Sequence, residues 1–303
     1  MGTSTELGAF LRSRRASLSP EQVGVVSYGA RRAPGLRREE LAQLAGVSHA
    51  YYTRLEQGQS TGASDGVLDA LARALRLDAD ERKHLHRLAR PVREQPRVSA
   101  RPERVRPQTR QLVEAITDVP MLALDRVNNV LTWNGLGHAL LAGHLDRASP
   151  DAPATRPNTL RMLFLDSHTR ELHNDWAQEA RRAVASLRLT AGEHPGDPAM
   201  AALIGDLAVR SGEFAGLWAR HPVQSCTDGI KRYRHPTVGP LDLAFTMSTT
   251  VDNGHRLLML SATPGSSSYD ALALLRTTVS VVRPTGRPAD YHVGRVTRGH
   301  CQH

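Results

Sequence analysis

Residues 39–58 read EELAQLAGVSHAYYTRLEQG. Apolar residues recur at helical spacing on either side of Gly46, which predicts one helix over 37–45 and a second over 48–56. Glu39 and Glu40 lie in the first turn of the former, where the helix dipole favours them. Gly46 tolerates the positive φ that a tight turn demands. Ser48 is a good N-cap for the second helix, and Gly58 stops it. Two helices crossing steeply need a small residue where they touch, and Ala42 sits there. The same spacing turns Val47, Tyr52 and Leu55 into a core, with Leu41 and Leu44. Ser48, His49, Ala50, Thr53 and Arg54 are left on the outward face of the second helix. In a helix-turn-helix that face enters the major groove of DNA. A plain helical hairpin in an all-α protein would satisfy the same spacing.

Three more helices flank this pair, at 5–15, 65–75 and 78–89, the last ended by Pro91. A Gly-, Ser- and Arg-rich loop covers 17–35. Residues 1–91 therefore read as an all-α, five-helix unit with its core motif at 35–82. Residues 1–110 carry 20 Lys+Arg against 12 Asp+Glu, whereas 111–303 carry 19 against 18. A basic segment joined to a neutral one is the electrostatic footprint of nucleic-acid binding, although an ordinary solvated surface is the plainer reading of charge alone. Arg31, Arg32, Arg37 and Arg38 flank the motif as candidate phosphate contacts, which position without specifying. Only Lys83 and Lys231 are lysines, a bias that fits a GC-rich genome.

Residues 92–110 are dominated by Pro and Arg and read as a linker, helical towards its end. Between 111 and 282 the pattern is α+β. Strands are expected at 121–125 and 129–133, helices at 135–145, 158–165, 175–189, 198–211 and 212–220, strands at 229–235, 241–250 and 256–263, and a helix at 269–282. The tail, 283–303, reads as disordered. No apolar run approaches a membrane span, and the polar N-terminus lacks a signal-peptide core, so a cytoplasmic location is expected. Cys226 and Cys301, the two cysteines, form no disulfide or metal framework. His221, His235 and Asp242 share a region, but there is no nucleophile elbow, zinc-protease motif or phosphate loop. No enzyme activity, catalytic residue or metal site is assigned.

The N-terminal motif resembles the XRE (Cro/CI-type) family, through Leu41, Ala42, Ala45, Gly46, Val47, Ser48, Tyr52, Glu56 and Gly58. The resemblance implies a lambda-repressor-like five-helix DNA-binding domain, an operator in double-stranded DNA and a structural carboxylate at Glu56. Arg54 is then the best candidate for bidentate bonding to guanine, with His49 and Thr53 beside it and Ser48 near a phosphate. The words MLALDRVNNVLTWN, NTLRMLFLD, HNDW, ASLRL, SGEFAGLWARHPV and KRYRHPTVG, in this order over 105–275, resemble the MmyB-like ligand-binding domain attached to XRE regulators. That resemblance implies a PAS-like fold and a pocket for a fatty-acid-like ligand.

Read from the residues, Trp133, Trp176, Trp218, Phe164 and Phe214, with Leu136, Leu140, Met162 and Leu163, are candidates to line such a pocket. They would equally fill an ordinary core. Arg220 and His221, and also Arg188, Arg232 and Arg234, are candidates to meet an acyl carboxylate. The expectation is a bacterial, cytoplasmic, nucleoid-associated transcriptional regulator, homodimeric, with no cofactor other than a fatty-acid-like ligand. The alternative is a regulator whose C-terminal domain is a dimerisation or protein-interaction module with no ligand.

Overall fold

Helix-start chemistry in the first ninety residues is local and explicit. A computed structural model describes residues 3–25, 35–59, 62–90, 103–251 and 254–281. Among them α1 is Thr3–Ser17, α2 Arg38–Leu44, α3 His49–Glu56, α4 Asp65–Ala74 and α5 Ala79–Ala89, with a 3-10 turn at Glu21–Val23. The Ser48 hydroxyl accepts from the Tyr51 amide at 3.2 Å. Asp78 accepts from Glu81 N at 2.9 Å while Glu81 accepts from Asp78 N at 3.0 Å, a reciprocal capping box. Gly46 adopts φ 67°, and Val47 N–H then closes on the Ala42 carbonyl at 3.0 Å.

Phe10, Leu11, Leu41, Tyr52, Leu55, Leu71 and Leu85 fill the core of this unit. Leu44, expected in the core, lies at the surface instead. Leu44 is 40% exposed and Ala45 takes the inward place, because Leu41, Ala42 and Ala45 form the buried stripe and Leu44 falls beside it. Gly8 brings α1 against α3, where a β-carbon would stand 2.3 Å from the Glu56 carbonyl oxygen.

The rest of the chain builds α6 (Pro107–Ala115), β1 (Met121–Leu124), β2 (Val130–Trp133), α7 (Gly135–Ala142), α8 (Thr159–Leu165), α9 (Ser167–Leu172), α10 (Trp176–Glu193), α11 (Pro198–Arg210), α12 (Gly212–Ala219), β3 (Asp228–His235), β4 (Gly239–Thr249), β5 (Arg256–Ser261) and α13 (Ser267–Val281). The strands form one antiparallel sheet in the order β2-β1-β5-β4-β3. The early hairpin and the late meander join where Leu122 pairs with Leu258. Period-two alternation divides the side chains between faces. Met121, Ala123 and Leu131 pack with Val113 of α6. Leu122, Leu258, Leu260 and Tyr233 pack with Leu136 and Leu140 of α7, Leu172 of α9 and Leu275 of α13. Helices α8, α10, α11 and α12 hold a separate core around Phe164, Leu187, Leu203 and Phe214.

The β1–β2 turn is built on Asp125. Its buried carboxylate accepts from Val127 N (3.0 Å), Asn129 N (2.8 Å) and Asn129 Nδ2 (2.9 Å), and Asn128 takes φ 69°. Residues 103–110, expected in the linker, belong instead to the sheet unit. Val105 packs on the α6 face, and Glu103 pairs with Arg126 and His255. The remainder of the linker, the tail, and Arg31 and Arg32 lie outside the described residues. No described helix is long and apolar enough to cross a membrane.

Candidate functional site

Two sites follow from this architecture. The first is the outward side of α3. His49, Ala50 and Arg54 are exposed and Thr53 is half-buried, its hydroxyl 3.5 Å from His49 Nε2. The Arg54 guanidinium has no partner among the described residues, so its five N–H donors remain available. The Ser48 hydroxyl is committed to the helix cap. Arg37 is exposed, 3.5 Å from Glu39.

What holds α3 in place is Glu56 at its C-terminal end. Its carboxylate is fully buried and takes two hydrogen bonds from Arg15 at 2.9 Å each and one from Arg38 at 3.0 Å. Burial by itself would raise its pKa. The bonds from Arg15 and the charges of Arg15 and Arg38 outweigh burial and hold the group below the usual carboxylate range. The cluster ties α3 to α1 and α2 while leaving the opposite face clear. It also places Arg38, a candidate phosphate contact, in an ion pair with Glu56, its side chain 41% exposed.

The second site is a cavity of about 140 Å³ between the sheet and helices α8, α9 and α10, room for about five waters or one small ring. Its apolar wall includes Leu124, Leu160, Met162, Leu163, Phe245 and Leu258. Its polar side carries Glu179 and Arg182 from α10, Lys231 and Tyr233 from β3, and Arg256 from β5. Glu179 and Lys231 form an ion pair. Burial would raise the Glu179 carboxyl, but the Lys231 ammonium beside it holds it down. His173 is pushed down to about 4, chiefly by burial, and is neutral at pH 7. Arg256 Nη2 donates to the Asp125 carbonyl at 3.0 Å and to Asn128 Oδ1 at 2.8 Å. Its Nε is buried with no hydrogen-bond partner among the described residues. With Glu179 and Lys231 paired, Arg182 and Arg256 are the remaining charged groups of the lining, and the Asp125 carboxyl lies close enough to Arg256 to offset part of its charge.

Of the ligand-lining candidates named from sequence, Met162 and Leu163 line this cavity and the others do not. Trp133, Leu136 and Leu140 lie in the sheet-side core, with Trp133 Nε1 donating to the Arg147 carbonyl at 2.8 Å. Phe164, Trp176, Phe214 and Trp218 form a chain of edge-on and stacked rings in the helical core. Rings that satisfy one another in this way fill volume rather than border it. Arg220 and His221 lie against the N-terminal unit, their carbonyls bonded to Ser13 and Arg14. Arg188 stacks on Trp218, and Arg232 and Arg234 are exposed on β3. The cavity's charged residues were missed, though a signal existed. Alternation along β3 puts Lys231 on the face of buried Tyr233, and along β5 it puts Arg256 on the face of Leu258 and Leu260.

Residues 105–275, more than half of the chain, match the family described as MmyB-like transcription regulator ligand binding domain. Residues 6–85 match a helix-turn-helix domain. No curated protein matches the chain.

Proposed function

The chain belongs to the MmyB-like transcription regulators, and from that premise we propose that it binds an operator through α3 and is controlled by an apolar molecule with an anionic head, a fatty acid or close analogue, whose head and first carbons the cavity holds while the rest of the chain leaves through its open side. The observation that carries the ligand class is Arg256, a deeply buried cation in the wall of an otherwise largely apolar chamber. A carboxylate would pair with that cation, and the leucine and methionine wall would take the start of an alkyl chain. The antiparallel sheet, with helices inserted between its first hairpin and last meander, supports a PAS-like reading of the domain. The exposed α3 face supports direct base reading, and a two-fold dimer on a roughly palindromic site is the arrangement such a domain uses. The setting is a bacterial nucleoid.

Displacement of cis-parinaric acid, a fluorescent long-chain carboxylate, by hexadecanoic acid tests the ligand class on the full chain. Charge-assisted hydrogen bonds contribute about 1.5–3 kcal/mol, so Arg256→Met should weaken binding about 10- to 100-fold. Wild-type affinity in that variant would remove Arg256 as the anchor. Large apolar side chains are exposed on α6 (Leu112, 50%) and α13 (Leu274, 55%), which favours a second reading, a dimerisation or interaction module with no ligand. Absence of probe binding together with a stable dimer in sedimentation would select it.

A further inference from the structure

Two stretches of chain run from the cavity wall to the DNA-reading unit. The first is α10. Its earlier turns supply Glu179, Arg182, Ala183 and Ser186 to the cavity. Its last turns press on α5. The Leu189 carbonyl accepts from Arg87 Nη1 at 3.3 Å, and Glu193 pairs with Arg87 at 3.0 Å. At Gly192 a β-carbon would stand 2.9 Å from Cε1 of the buried His84 ring. The second stretch is residues 220–226. Ser13 Oγ donates to the Arg220 carbonyl at 2.9 Å and Arg14 Nη2 to the His221 carbonyl at 2.6 Å. Val223 is buried in the core of the DNA-reading unit. Ser225 N–H donates to Asp80 at 2.7 Å. Cys226, three residues beyond Val223, is back in the cavity wall, its Sγ 3.6 Å from the Arg182 carbonyl.

The docked interface is also imperfectly satisfied. Arg14 Nε, His84 Nδ1 and Arg188 Nε are all buried there without a hydrogen-bond partner among the described residues. Each such group offsets part of what the contact gains. His221 adds backbone strain at φ 51°. A contact whose gains are partly offset in this way needs a smaller bias to move between docked and released than a fully satisfied one.

We propose that α10 and residues 220–226 couple the cavity to the docking of the DNA-reading unit, so that filling the cavity shifts the equilibrium between docked and released α1 and α5. This rests on the reading that the cavity takes a ligand. Close packing gives α10 no slack. A side chain moved on its cavity side is felt at His84, and 220–226 reports the same displacement through Cys226. Because coupling is reciprocal, loosening the interface must change affinity in the cavity, by up to the factor by which the ligand changes docking.

The test uses the full chain and cis-parinaric acid, with the His84 ring resonance as the report of docking. Gly192→Leu wedges the interface. A Ser13→Ala, Arg14→Ala double variant removes the bonds to the Arg220 and His221 carbonyls without adding bulk. Neither change touches the cavity. Both variants should move the His84 resonance and change the probe Kd at least threefold, in the same direction. A Kd within twofold of wild type in both, with His84 moved, overturns the coupling while leaving the ligand reading intact. A further arm needs no ligand. Ala183→Leu fills the cavity from α10 itself and should move the His84 resonance. If the probe fails to bind wild type but Ala183→Leu moves His84, the ligand class falls and the coupling stands. If Ala183→Leu leaves His84 unmoved, the coupling falls.

Discussion

Glu56→Ala should release the DNA-reading helix from its support. In the wild type the carboxylate is fully buried, and the Arg15 side chain that bonds it twice is only 14% exposed. Removing Glu56 strands that cation, although Arg15 keeps its 2.6 Å bond to the Leu36 carbonyl. Breaking a buried pair from one side costs about 3–5 kcal/mol, a large share of the ~5–15 kcal/mol that holds a domain folded. Glu56→Gln keeps the shape and one acceptor and gives up the charge, so it should cost about half as much, roughly 2 kcal/mol. Urea unfolding followed by circular dichroism measures both. A double-mutant cycle with Arg15→Ala isolates the pair, and the two losses should fall well short of additive. The effect has a defined pH window. The folded carboxyl is held below its unfolded value, so its contribution is complete above the usual glutamate range and is lost as pH falls through the folded pKa. The gap between wild type and Glu56→Gln should therefore persist at pH 5 and close only in stronger acid. A cost under about 1 kcal/mol for Glu56→Ala, or simple additivity with Arg15→Ala, would refute the claim that this cluster holds α3.

Gly8→Ala should lower the unfolding temperature even though alanine is the better helix former. Helix propensity favours the change by about 1 kcal/mol, but the added carbon would meet the Glu56 carbonyl at 2.3 Å, and overpacking against backbone costs about 1–3 kcal/mol; a raised Tm would contradict that close approach. Burial chiefly, with Arg87, Arg188 and Arg14 nearby, pushes the His84 ring down to about 3. The stability it contributes is complete above the ordinary histidine pKa and is lost as pH falls towards the folded value. Between pH 6 and 4 the slope should reach up to about 1.4 kcal/mol per unit for this ring; His84→Phe should flatten it, and an unchanged slope in denaturation series would exclude the ring as its source. Arg54→Ala should weaken operator binding by about 1–3 kcal/mol and relax preference at one base position, whereas Arg37→Ala should weaken all sequences alike and reduce the salt slope by about one. Gel shifts over a salt series separate the two, and an unaltered operator affinity in Arg54→Ala would move the recognition face elsewhere.

The DNA-reading unit was legible because its determinants are local. Gly46 needs positive φ and Ser48 needs to cap, and neither requirement depends on distant chain. Leu44 reads as core but is exposed, because a seven-residue helix has too few turns for periodicity to separate adjacent positions. The strands were legible from alternation, and β1 with β2 from the turn residues between them. Helix α9 was missed because its six residues, SHTREL, carry too little apolar pattern to register. Residues 103–110 read as linker because their composition is polar, yet Glu103 and Val105 are fastened by partners far along the chain, Arg126, His255 and the α6 face.

The cavity is less legible in the sequence for a physical reason. Large aromatics draw attention as pocket walls, but a ring gains most when surrounded on all sides, and Phe164, Trp176, Phe214 and Trp218 pack against one another instead. A binding cavity must remain unfilled by its own walls, which favours leucine, methionine and small residues such as Ala183 and Ser186. Its polar groups must be buried without being wholly consumed. Lys231 is consumed by Glu179, so the pair contributes shape and little net charge. Arg256 is different, since two of its bonds are spent on the Asp125 turn and one buried donor remains. A buried donor in that condition costs stability. Alternation along β5 puts this arginine on the face of Leu258 and Leu260, at the start of a short apolar strand where composition alone would call it an edge charge.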